Sequence, residues 1–79
     1  MKKTILIISI FLAACSQNES YTLYRNSVLD EFERIHVASF NAKEGEKYNQ
    51  ENCDIAKDLF QKQEGVVTKF WCEKGVFNK

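Results

Sequence analysis

The segment from Asn49 to Gly75, NQENCDIAKDLFQKQEGVVTKFWCEKG, changes its hydrophobic period halfway along, and that change decides the fold. In NQENCDIAKDLFQKQEG the apolar residues recur at helical spacing. At 100° per residue, Cys53, Ala56, Leu59 and Phe60 share a stripe with Ile55 at its edge, while Lys57, Asp58, Gln61 and Lys62 face away. Asn49 is suited to cap the start, Glu51 and Asp54 lie near the positive end of the dipole, and Gly65 supplies a stop. The pattern predicts a helix over 49–65 with one packing face and one wet face. In VVTKFWCEKG the period falls to two, which predicts a strand over 66–75. Thr68, Phe70 and Cys72 then share one face, and Val67, Lys69, Trp71 and Glu73 the other.

Working back toward the N-terminus, YTLYRNS (21–27) is rich in strand-favouring residues, and RIHVASF (34–40) alternates Ile35 and Val37 with His36, Ala38 and Phe40. Both read as strands. Between them, VLDEFE places Leu29 and Phe32 at helical spacing behind Ser27, so a single capped helical turn is an alternative for the connector. NAKEGEKY (41–48) has the glycine and charge of an exposed loop. The order is strand, strand, helix, strand. A right-handed crossover through the helix sets the third strand parallel to the second and antiparallel to the first, with the first in the middle. The expected fold is α+β, a small three-stranded, mainly antiparallel sheet with one helix on one face (β-β-α-β). The other face, carrying Trp71, is open unless Val76 and Phe77 fold across it. Tyr21, Tyr24 and Trp71 are the candidate partner-binding residues, because tyrosine and tryptophan concentrate at interfaces.

Seventy-nine residues with no proline and three glycines make one small domain, and so short a chain usually needs a staple. At 44% hydrophobic and 13% aromatic it is too apolar for a disordered tail. Acidic and basic residues balance and are scattered singly, without the basic patch that nucleic-acid binding requires.

The N-terminus reads as an export signal. Met1-Lys2-Lys3 is a positive start, Ile5 to Leu12 a short apolar run, and Ala13-Ala14 the small residues before a cleavage point. The apolar run is too short to cross hydrocarbon, which takes about 20 residues. Leu12-Ala13-Ala14-Cys15 resembles the lipobox of bacterial lipoproteins at every position. That resemblance implies cleavage before Cys15 and attachment of acyl chains, palmitate among them, to Cys15 as the first mature residue. Two or three chains hold a protein on a bilayer stably where one does not. Ser16, in place of an aspartate, then favours the outer membrane, with the domain facing the periplasm. The expected organisation is a signal peptide at 1–14, a lipidated cysteine and short tether at 15–20, and the domain at 21–79. LYRNS, RIHVASF, YNQENC and FWCEKG further resemble stretches of small uncharacterised lipoproteins of Gram-negative bacteria, a likeness that carries no mechanism.

With Cys15 taken by lipid, Cys53 and Cys72 remain, and in an oxidising compartment two such thiols are expected to pair. Closing a loop of roughly 20 residues constrains the unfolded chain by about 3 kcal/mol. The pair with the distant His36 lacks the clustered spacing of a zinc site, so no metal is expected. Loss of Lys2 and Lys3 leaves 9 basic against 11 acidic residues, so attachment rests on lipid and not on charge.

Chemistry is sparse. His36 has no serine or carboxylate at a spacing that makes a nucleophile and base, Asp30, Glu31 and Glu33 lack the turn of a calcium loop, and glycines 45, 65 and 75 fall as punctuation. The expectation is a module without enzymatic activity or cofactor that binds an envelope protein at the membrane. The alternative is an inhibitor or protective factor against an envelope-attacking hydrolase, presenting a protruding loop such as Ala42 to Tyr48, which includes Lys43.

Overall fold

The computed structural model describes residues 19–78. The segment read from sequence as a signal, Cys15 and Ser16 lie outside the described residues. The elements are β1 (Tyr21–Arg25), β2 (Ile35–Phe40), α1 (Glu46–Gln61) and β3 (Phe70–Lys74). They form one three-stranded sheet in the order β2-β1-β3, with β1 antiparallel to both neighbours, as the sequence pattern predicts. Helix α1 lies against one face.

That face is the core. Tyr21, Leu23 and Cys53 are buried together, and Val37, Ala38, Phe40, Ala56, Phe60, Phe70 and Cys72 pack around them. The Phe60 and Phe70 rings stack at 5.6 Å. The Cys53–Cys72 disulfide bridges α1 to β3 across this layer, with Cα atoms 6.3 Å apart.

A bulge breaks the alternation expected of β2. Leu23 pairs with Ala38 but Tyr24 pairs with His36, so Val37 is the extra residue. Val37 and Ala38 both pack on the core, while His36 turns to the opposite face, against Phe77. His36 therefore does not share a face with Ala38 and Phe40, contrary to strict alternation.

The helix is displaced from its expected span by one turn. It starts after Gly45, whose φ of +112° suits glycine, and ends at Gln61, short of Gly65. Asn49 is not the cap but a buried residue inside the helix. Its side chain accepts from the Ala42 N–H (2.9 Å) and donates to the Glu19 and Ala42 carbonyls (2.7 and 3.0 Å). One amide thus satisfies three backbone groups of two incoming segments, which outweighs its capping tendency. Packing centres on Asn49, Cys53, Ala56 and Phe60, and Leu59, expected on that stripe, is left exposed at its flank.

Strand β3 is shorter than its sequence suggests. The Gln61 side chain donates to the Thr68 carbonyl (2.8 Å) and accepts from the Phe70 N–H (2.9 Å), pairing the backbone that would otherwise extend the strand. The 26–34 connector forms no helical turn. Ser27 and Asp30 exchange backbone hydrogen bonds at 3.2 Å, and their side chains accept from the N–H groups of Leu29 and Phe32, each at 3.0 Å.

Candidate functional site

The register of β1 gives the molecule two ends. At one, Tyr21 sits opposite Phe40 and Lys74; at the other, Arg25 sits opposite Ile35 and Phe70. Four residue steps along the strand separate them by roughly 14 Å. The chain enters at the first end. Glu19 and Ser20, read from sequence as tether, belong to the folded unit: Asn49 holds the Glu19 carbonyl, and the Gly75 N–H donates to that of Ser20 at 2.7 Å. Tyr21 donates to Glu46 there (3.3 Å), and Lys74 pairs with the same carboxylate (3.1 Å). Burial first, and then the charge of Glu46, raise the phenol above its ordinary pKa.

The sheet face opposite α1 carries Tyr24 and Trp71, whose rings stack with centroids 6.0 Å apart. Tyr21 is not part of this face, because residues 21 and 24 of one strand point to opposite sides of the pleat. The three aromatics proposed as a partner patch are therefore divided, Tyr21 under the helix and Tyr24 with Trp71 on the far side. Nor is that side bare. The Arg34 guanidinium lies 4.2 Å above the Tyr24 ring and grips Glu73 with two nitrogens, at 2.8 and 3.2 Å. Trp71 donates its indole N–H to the same carboxylate (2.8 Å). The Arg34 hydrogen bonds, and after them that of Trp71, hold Glu73 below the usual carboxylate range.

Residues 76–78 cross this face, as the alternative for Val76 and Phe77 anticipates. Phe77 meets the Tyr24 and His36 rings at 6.1 and 4.6 Å, Arg34 donates to the Asn78 carbonyl (2.8 Å), and the Asn78 N–H reaches the Tyr24 hydroxyl (3.3 Å). Tyr24 is left 1% exposed. A cleft of about 390 Å³ remains between the 73–78 segment, Tyr24 and Arg34, where Arg34 is paired to Glu73 and Lys74 to Glu46. His36 lies 2.9 Å from the Ser39 hydroxyl, with no acidic partner for a relay among the described residues.

Among the described residues, the most exposed large apolar side chains lie instead at the end of β1 remote from Ser20. Leu29 is 93% exposed, Phe32 85%, Val67 77% and Val28 70%. Val28 and Val67 line a common cleft of about 370 Å³ with Asn26, Ser27, Glu31 and Lys69. Asn26 ties the two loops together, its N–H donating to the Lys69 carbonyl (3.1 Å) and its side-chain oxygen accepting from the Lys69 N–H (2.8 Å). Sequence reasoning treated 28–33 as a connector, with a single capped helical turn as its alternative. The signal it carried was the insertion of Leu29 and Phe32 among carboxylates with no strand or helix for them to pack in. The loop expected to protrude, 42–48, is by contrast shortened by the first turn of α1 and fastened by Asn49.

Among the described residues, no cluster of three or more His, Cys, Asp or Glu side chains is arranged to hold a metal, and no helix is long and apolar enough to cross a membrane. The chain matches no family model, no curated protein and no solved structure.

Proposed function

We propose that the protein is a lipid-anchored, non-enzymatic binding module on the periplasmic face of a bacterial envelope membrane, held through acyl chains on Cys15. The observation that carries this reading is the Cys53–Cys72 bridge, which leaves Cys15 as the odd thiol, directly after Leu12-Ala13-Ala14. A disulfide across the core suits an exported domain, and the lipobox-like sequence suits the anchor. Asn49 holds the Glu19 carbonyl to the domain, only three residues separate Cys15 from Glu19, and the domain would sit close to the headgroups.

A second reading, an inhibitor or protective factor against an envelope-attacking hydrolase, is favoured by the braced loop over 26–34, which offers a better plug than 42–48. Both readings share the anchor. Intact mass of protein extracted from membranes of its own host tests it: loss of residues 1–14, added acyl mass, and a further 2 Da regained on reduction. An unprocessed, unacylated chain would refute the anchored reading.

A further inference from the structure

We propose that the end of the sheet remote from Ser20 is the binding end, and that its 27–33 loop inserts Leu29 and Phe32 into an apolar pocket of a protein partner rimmed by lysine or arginine. This rests on the binding-module reading and adds where the module binds and what it fits.

The first support is a loop ordered without burial. Reciprocal Ser27–Asp30 backbone bonds, the Leu29 and Phe32 N–H groups held by Ser27 and Asp30 side chains, and the Asn26 amide on the Glu31 carbonyl (3.3 Å) fix the backbone. Fixing it costs conformational entropy, and side chains 93% and 85% exposed recover none of that cost through packing within the domain. Single exposed apolar residues are ordinary on any protein. Here two large ones project from one braced turn, with Val28 and Val67 beside them across a shared cleft, in a domain whose own buried cluster is small. A preorganised apolar projection of this kind binds without first having to be ordered.

The second support is charge. The Glu31 and Glu33 carboxylates have no hydrogen bond or ion pair among the described residues, Asp30 is turned into its own loop, Arg34 is committed to Glu73, and Lys69 is the basic residue that lines the Val28–Val67 cleft with Glu31. Free carboxylates flanking Leu29 and Phe32 complement a cationic rim and are repelled by anionic headgroups. A protein pocket therefore fits the tip better than a bilayer does. The flank of α1, where Tyr48, Ile55 and Leu59 are exposed, is the rival surface; charges of both signs border it, and it selects no partner chemistry.

The test is selection of a random displayed peptide library on the full chain in non-ionic detergent. Enriched peptides should carry an aromatic or aliphatic residue flanked by Lys or Arg. Leu29→Ser and Phe32→Ser should each weaken a synthesised winner by about tenfold or more, as for anchor residues generally. Glu31→Gln with Glu33→Gln should weaken it several-fold and flatten its salt dependence. Leu59→Ser should leave it unchanged. All five positions are exposed, so loss of fold does not confuse the result. No enrichment, or winners without basic residues, would overturn the proposal. So would tip-dependent binding to phosphatidylcholine or phosphatidylglycerol vesicles. Winners that depend on Leu59 and not on Leu29 would overturn it while leaving a binding module standing.

Discussion

Leu23 and Tyr24 are neighbours in β1 and almost equally hidden from water, yet what hides them differs in kind. Leu23 is covered by a helix, aliphatic and aromatic contacts, and a covalent bridge. Tyr24 is covered by a guanidinium, an indole and a phenylalanine from the C-terminal segment, tied together through one carboxylate. The first cover is indifferent to salt and acid. The second is made of exposed charges whose contribution depends on both. One strand can thus be sealed on one side by burial and on the other by a charge-assisted lattice, and the two should fail under different conditions.

Reduction of the disulfide, or Cys53→Ser with Cys72→Ser, should produce the largest loss, about 3 kcal/mol, read from denaturant midpoints. A loss no greater than that from opening the Tyr24 side would erase the distinction between the faces. Asn49→Ala should follow at about 2 kcal/mol, since it abandons an N–H and two carbonyls at the edge of the helix side. Hydrogen exchange should then rise first at Ala42 and its neighbours. Phe77→Ala should cost about 1 kcal/mol and shift Trp71 emission to the red, because the half-exposed ring gives up only part of a full aromatic contact.

Smallest is the acid response of Glu73. Its folded pKa is depressed, so its stabilisation is complete above the unfolded carboxylate pKa and disappears as the pH falls through the folded one. Glu73→Gln should lower Tm at neutral pH and reduce the further drop on acidification. An identical acid drop in wild type and variant would mean that the Arg34–Glu73 pair does not stabilise the Tyr24 side.

Element order, the central position of β1, the α+β class and the Cys53–Cys72 pairing were legible because each follows from a period or a parity that local sequence displays. The details that were not legible share one cause, a side chain that bonds backbone distant in sequence. Asn49 looks like a cap and Gln61 like wet surface until the segments they bridge are in place. The bulge at Val37 was invisible for a related reason, since an extra residue in β2 is defined only by what β1 sets against it. For the candidate site, the aromatic residues were chosen for their type, and strand parity alone already separates Tyr21 from Tyr24. The exposed loop was overlooked because the spacing of Leu29 and Phe32 suggested a capped helical turn, and they were not weighed as a surface.

The central, antiparallel placement of β1 also has a mechanical consequence. Ser20 leads into one end of β1, and the 26–34 loop hangs from the other. A pull between those points runs along β1, nearly at right angles to its hydrogen bonds with β2 and β3. Both ladders are then sheared along their whole length and share the load, whereas a pull across the sheet would open them one bond at a time.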